Sequence, residues 1–446
     1  MTKSKIDDQR LKIKDTRFNL QSFIFPLAII LTLLGLYIAT LAQSLVLGDP
    51  SEYTMVTAVL GIAHPPGYAF YTVLGKLFQT LIPFGEIPWR MHLLSAVTTT
   101  VAALALYGIV VTLGERKLST RLIGVFTALL GGTAVNIWQH AIHANPHIIT
   151  GTFLVVNVFF LTKWWADQRM GRGAEEQRRK GASNKWLYAF CISAGLGVTH
   201  HPLTVFGFPA YTLFILLVWW RQSRDQRLEI RDSHNLQSPI SNLKQRLPTI
   251  LTMLAFALLG LSVWLYFPLR SPSAPFGPTT MNTLDGFLAH VLARGLTESL
   301  PYYPLSEQVN RLIVFWSILR LQYTLPVVAL ALLGAASPLL DWATRRRSGA
   351  AHKVASSPTL PIALALLAFL SVYAFVISLR AQDIMAYLLG PLLLVALFAG
   401  LGLRWLTARL RRGWPLWALL AAAFVAGPVW QAANNLPAVS LRDYDE

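Results

Sequence analysis

Gly67-Tyr68-Ala69-Phe70-Tyr71-Thr72-Val73-Leu74-Gly75-Lys76-Leu77-Phe78-Gln79-Thr80-Leu81-Ile82-Pro83-Phe84 is the stretch on which the arrangement of the chain turns. It is apolar enough to pass for a membrane span, and whether it crosses sets the side of everything after it. Other segments strong enough to span fall near 23–46, 91–113, 121–139, 147–166, 186–200, 203–220, 248–268, 322–340, 359–379, 385–403 and 414–430. If 67–84 crossed as well, every later basic loop would change sides. Left in the interface, it gathers 30 of the 38 Lys and Arg on one side, in the N-terminal tail and in loops 116–121, 163–185, 221–246, 345–353 and 404–412. Lys and Arg concentrate in the cytoplasmic loops of helical membrane proteins. The segment 67–84 is therefore expected to be a re-entrant or interfacial helix from which Lys76 snorkels.

Composition agrees with many spans. Of 446 residues, 54% are hydrophobic and only 13% charged, and the mean hydropathy is +0.48. A soluble protein of this size could not hide so much apolar surface. The net charge of +17 would suit nucleic acid, but the cations sit in short loops between apolar runs, so nucleic acid is not expected as a partner. The single cysteine, Cys191, excludes an intramolecular disulfide. The run from Phe23 to about Leu47 is too long for a secretory signal and is expected to be an uncleaved first helix. The expected architecture is all-α and polytopic, with about eleven spans. A cytosolic basic tail occupies 1–22, one membrane domain 23–431, with outer loops 47–90 and 270–321, and an outer tail 432–446. The run 186–200 is short for a span and needs tilt or local thinning.

Under this topology eight of the ten histidines lie at the outer face, together with Asp49, Glu52, Arg90, Arg270, Asp285, Arg294, Glu298, Arg380 and Asp383. Asp49, in Gly48-Asp49-Pro50-Ser51-Glu52-Tyr53, supports two readings. It is a general base whose interfacial burial raises its pKa, or the N-cap of a helix Pro50–Leu60 with Pro50 at its first position. His64-Pro65-Pro66, Asn145-Pro146-His147 and His200-His201-Pro202 each begin a helix whose positive dipole end faces outward, an arrangement suited to an anionic head group. Prolines at helix starts and histidines at interfaces have the same appearance without any ligand. Arg270 and Arg294 are outer cations that either fork onto a phosphate or pair with Asp285, Glu298 or Asp383. Asn145-Pro146 interrupts the His140, His143, His147 series, so these are not one helical ligand face. A divalent metal with Asp49 is possible but not required.

At this point the sequence resembles a known family. Gly48-Asp49-Pro50-Ser51-Glu52, Gly61-Ile62-Ala63-His64-Pro65-Pro66-Gly67-Tyr68, Tyr71-Thr72-Val73-Leu74-Gly75-Lys76-Leu77-Phe78 and Arg90-Met91-His92-Leu93-Leu94-Ser95 are similar to the N-terminal signature of a GT-C family that includes protein O-mannosyltransferases. Weaker echoes follow at Gly195–His201, Tyr266–Ser271, Leu284–Phe287 and Asp383–Tyr387. The resemblance implies an inverting glycosyltransferase at the outer face of a plasma membrane, expected to be bacterial. Its donor would be a polyprenyl-phosphate sugar, its acceptor a hydroxyl on a protein or glycan. Asp49, Glu52 and His64 would be catalytic. Arg270, Arg294, His147, His200 and His201 would hold the donor phosphate, and Tyr68, Arg90, Asp383 and Tyr387 would position substrate, with no metal required. Where relatives often carry an acid after the third span, this chain has Ala144-Asn145-Pro146-His147, which leaves a non-catalytic scaffold as an alternative. A transporter is the other alternative, although ionisable groups in the span centres are few.

Overall fold

A computed structural model describes residues 23–170, 184–231, 239–294, 303–348, 358–380, 384–410 and 413–444. The expected basic tail 1–22, Glu298 and Asp383 lie outside the described residues. All regular structure among the described residues is helical. The first half runs α1 (Phe23–Thr40), α2 (Asp49–Val59), α3 (Ala69–Leu81), α4 (Ile87–Leu113), α5 (Leu118–Thr133), α6 (Val135–Ala141), α7 (Pro146–Met170) and α8 (Lys185–His200). The second half runs α9 (Phe208–Arg231), α10 (Pro239–Leu261), α11 (Tyr266–Arg270), α12 (Leu284–Val291), α13 (Gln308–Gln322), α14 (Leu325–Ser348), α15 (Thr359–Ile377), α16 (Ile384–Tyr387), α17 (Leu389–Thr407), α18 (Trp414–Phe424) and α19 (Trp430–Val439).

Nine helical stretches among the described residues are long and apolar enough to cross a membrane, and the pair α5–α6, bent by 70°, makes ten. The remaining expected span is α8, whose 16 residues reach about 24 Å, short of a hydrocarbon core of about 30 Å. It packs closely on α10. A Cβ on Gly195 of α8 would lie 2.5 Å from the Ala257 carbonyl oxygen, and one on Gly260 would lie 2.5 Å from that of Ile192. Only glycine lets these two backbones approach so closely. The same device joins α14 to α17, where a Cβ on Gly402 would meet the Leu330 oxygen at 2.0 Å. Helix α17 is apolar all round and forms the centre of the bundle, 83% of its most apolar window being buried.

Helix α3 has 13 residues, about 20 Å, and cannot span. It lies against α2, α4 and α8 and leaves Val73, Leu77 and Leu81 exposed at helical spacing, an apolar edge suited to an interface. Lys76 departs from expectation. Instead of snorkelling, its Nζ donates to the Ala58 carbonyl at 2.7 Å, because the C-terminal carbonyls of α2 lie within reach and lack helical donors. The proline-rich stretch after Arg270 lies on the loop between α2 and α3, where the Ile62 N–H donates to the Phe276 carbonyl at 2.9 Å. At the other end, the expected tail from 432 is helical to Val439. It then folds back on the end of α1, with the Leu441 N–H donating to Thr40 O at 2.8 Å.

Gly402→Leu is expected to lower the melting temperature in detergent markedly, because inserted side chains in packed interiors cost about 1–3 kcal/mol and more where a backbone must move. Gly35→Leu, where an added Cβ meets nothing within 4 Å, is expected to leave it unchanged. Equal melting of the two variants would remove close backbone contact as the reason for glycine at 402.

Candidate functional site

The first turn of α2 carries Asp49 and Glu52, where the helix dipole favours negative charge. The expected cap is not formed. Gly48 occupies the N-cap position, and no side-chain hydrogen bond closes that end. Asp49 is exposed, so the burial expected to tune its carboxyl is absent, because α2 starts at the surface of the bundle. Glu52 is the partly buried acid of the pair. Its Oε1 accepts from the His64 backbone N–H at 2.7 Å and its Oε2 meets the His64 Nδ1 at 2.6 Å. Ligand atoms of Asp49, Glu52 and His64 all lie within 4.8 Å of one another.

His64 is brought there by a loop whose carbonyls are taken by side chains from elsewhere. Arg270 donates from Nε to Leu60 O at 2.8 Å and from Nη2 to Val59 O at 3.1 Å. Tyr266 donates its hydroxyl to Gly61 O at 2.7 Å, and His290 Nε2 lies 2.9 Å from Ala63 O. Gly67 sits at φ +91° with the Phe267 ring against it, so a side chain there would be both strained and in collision.

Behind this cluster stands Tyr68, 1% exposed and at φ 52°, a left-handed position rare for a bulky residue. Its ring centroid is 5.4 Å from that of Tyr53 and 5.7 Å from that of His64. On its other side it is 6.0, 5.8 and 5.5 Å from the rings of His147, His200 and His201. Tyr387 closes the group, 4.7 Å from His147. Burial pushes the phenols of Tyr53 and Tyr68 well above their ordinary range, so both keep their protons and can act as donors.

The residues expected to hold a phosphate are otherwise occupied or placed. Arg270 spends its fork on the end of α2. Arg294 pairs with Asp285 at 2.7 Å. His147 and His200 are buried, and His200 Nε2 faces the Pro146 carbonyl at 2.8 Å. Two of the three proline-led helix starts are closed by side chains. Asn145 Oδ1 accepts from the N–H groups of His147 and Ile148 at 2.9 and 3.3 Å, and His201 Nδ1 accepts from Leu203 N–H at 3.0 Å. Arg90 spans the end of α3, donating to Gln79 O, Phe84 O and Gly85 O. The sequence reading did not single out Tyr53, Tyr266 and His290 for the site, and the one signal for Tyr53 was its place beside Glu52.

Asp49, Glu52 and His64 are chemically able to ligate a divalent cation. Among the described residues they are the only group of three or more such side chains placed to do so.

The domain family described as "Protein O-mannosyl-transferase TMEM260 N-terminal domain" matches residues 49–225, beginning at Asp49. The chain is 24% identical to "Protein O-mannosyl-transferase tmem260" of Dictyostelium discoideum over 252 residues, which cover 55% of this chain and 27% of that protein. It is 32% identical to the Mus musculus protein of the same description over 127 residues, or 28% of this chain and 18% of that one. The chain thus matches about a quarter or less of the length of these relatives. Its fold is that of the GT-C oligosaccharyltransferase of Archaeoglobus fulgidus, in a crystal structure with zinc and sulfate. The TM-score is 0.52 and the identity 14%, over 93% of this chain and 53% of that one.

The Glu52–His64 pair has a definite pH signature. The hydrogen bond to Glu52 holds the His64 imidazole above its ordinary 6.5 against the opposing effect of burial, and the charges of Glu52 and Asp49 add to it. Burial pushes the Glu52 carboxyl up, but the His64 hydrogen bonds and charge outweigh it and leave it below its ordinary 4.5. The stabilisation from His64 is complete below 6.5 and lost as pH rises through its raised pKa. That from Glu52 is complete above 4.5 and lost as pH falls through its lowered pKa. Glu52→Gln is expected to return the His64 titration toward 6.5, read by NMR of nitrogen-labelled imidazoles in micelles. A titration unmoved by the substitution would show that Glu52 does not set it.

Proposed function

We propose that this GT-C-fold chain, similar over residues 49–225 to the N-terminal domain of TMEM260 protein O-mannosyltransferases, is an inverting membrane glycosyltransferase. It moves a mannose-like hexose from a polyprenyl-phosphate donor to a hydroxyl on a protein or glycan acceptor at the outer face. The observation that carries this reading is Asp49. It is an exposed carboxylate at a helix N-terminus, free of the capping duty its position would suggest, and it stands beside a carboxylate–imidazole pair.

In the proposed reaction Asp49 accepts the proton of the acceptor hydroxyl while that oxygen forms a bond to the anomeric carbon. The bond from that carbon to the phosphate oxygen breaks, and its electron pair leaves with the lipid phosphate, inverting the anomeric centre. Glu52 favours the charged form of His64, and in that form a cation stands beside the developing negative charge. Buried Tyr53 and Tyr68 offer further donors and exclude water. Arg270, Tyr266 and His290 act through the loop they fasten. Because the leaving phosphate is already stable as an anion, and both Glu52 oxygens are engaged by His64, the step is proposed to run without a divalent metal.

Asp49→Asn is expected to reduce transfer from a polyprenyl-phosphate sugar by at least about 100-fold, the lower range for loss of a general base, with melting unchanged in reconstituted vesicles. Transfer that survives the substitution would exclude Asp49 as the base. Prolonged treatment with a chelator is expected to leave the rate intact, and a loss restored by added divalent ions would instead make the Asp49, Glu52 and His64 group a metal centre.

A further inference from the structure

A threonine inside a helix ordinarily turns its hydroxyl back onto the carbonyl of the preceding turn. Thr152 of α7 does so, donating to Ile148 O at 2.8 Å. Thr150 does not. It is 7% exposed, and its Oγ1 has no hydrogen-bond partner among the described residues. The acceptor it would use is Pro146 O, which already receives the Thr150 N–H within the helix and faces His200 Nε2 at 2.8 Å. A carbonyl has two lone pairs, and both are engaged. Three residues earlier, His147 is 5% exposed and its Nδ1 is likewise without a partner. Side chains three apart on a helix are neighbours, so two buried polar groups with unmet hydrogen bonds share one face of α7.

Both residues line a cavity between α7, the stretch Pro202–Gly207 and the start of α17. It offers about 20 Å³ to the centres of water molecules, and one buried water needs roughly 10–15 Å³. The backbones close in beside it, since a Cβ on Gly151 would lie 3.0 Å from Gly390 N. Thr204 also lines the cavity. Its hydroxyl donates to His201 O at 2.9 Å, which leaves its oxygen able to accept. Two hydroxyls and an imidazole nitrogen make up the set of about three polar partners that a buried water takes.

We propose that this cavity binds one water that joins Thr150, His147 and Thr204, and that Thr150 is thereby a positioning residue for the His147 imidazole. The Thr150 hydroxyl donates to the water, and the water donates to His147 Nδ1 and to Thr204 Oγ1. With Nδ1 an acceptor, the neutral imidazole carries its proton on Nε2, and its ring is held in the place where it meets that of Tyr387 at 4.7 Å. The site belongs to the folded bundle and stands whether or not the transfer reaction does.

The test uses the full chain, crystallised from a lipid mesophase at a resolution that shows buried waters elsewhere. One water is expected within hydrogen-bond distance of both Thr150 Oγ1 and His147 Nδ1. Thr150→Val keeps the shape of the side chain and removes its hydroxyl, so the water is expected to be lost, and Thr150→Ser is expected to retain it. In nitrogen-labelled protein in micelles the His147 signals are assigned by their loss in His147→Gln. Its Nδ1 resonance is expected to be that of an unprotonated, hydrogen-bonded nitrogen, shifted in Thr150→Val and unshifted in Thr150→Ser. Melting temperatures check that the variants fold, and if Thr150→Val does not, the wild-type map and the Nδ1 resonance still decide. A wild-type map without this water, or a water kept in folded Thr150→Val, would overturn the site. A proton found on His147 Nδ1 would overturn the positioning role.

Discussion

The C-terminal end of α2 is a helix terminus without a helix to satisfy it, and the end of the bundle that carries Asp49 is arranged around that fact. A helix leaves its last carbonyls without partners, and a buried acceptor with none costs about 1–3 kcal/mol. Here the carbonyls of Ala58, Val59, Leu60, Gly61 and Ala63 are met by Lys76, Arg270, Tyr266 and His290. Three of those four side chains come from residues more than two hundred positions later in the chain. A surface loop that would otherwise be mobile is thereby tied to the span Arg246–Ser273. The loop carries His64, and His64 holds Glu52, so the geometry beside Asp49 is set by hydrogen bonds made some distance from it.

Tyr68 links that cluster to the bundle. Its left-handed backbone turns the chain from the loop into α3 and drives its ring inward among His147, His200 and His201. Strain of this kind persists only where surrounding contacts over-determine the residue. Here they are Tyr53 on one side and three imidazoles on the other. The result is an exposed carboxylate backed by a buried aromatic wall, with a paired carboxylate and imidazole between.

The bundle itself relies on close backbone contact. Because lipid tails are as apolar as the helices, burial alone gives little reason for helices to associate, and tight van der Waals packing has to supply it. Glycines at 195, 260, 334 and 402 provide that approach for α8 with α10 and for α14 with α17.

The distribution of apolar runs and of Lys and Arg in the sequence determined the all-helical membrane architecture, the position of most spans and the expectation that the segment holding α3 does not cross. These depend on local composition and on a rule about charge, both readable one residue at a time. The motif at 48–68 likewise pointed to Asp49, Glu52 and His64 as neighbours, which a turn rich in proline and glycine makes plausible without any long-range information. What each cation was for could be decided only by the tertiary structure. Lys76 reads as a snorkelling side chain, Arg270 as a phosphate fork and the starts at Pro146 and Pro202 as open anion seats. In the folded protein Lys76 and Arg270 bind carbonyls, and Asn145 and His201 close those helix starts. A charged donor takes whichever unsatisfied acceptor the fold brings nearest, and that proximity is set by the packing of distant segments rather than by the residues on either side.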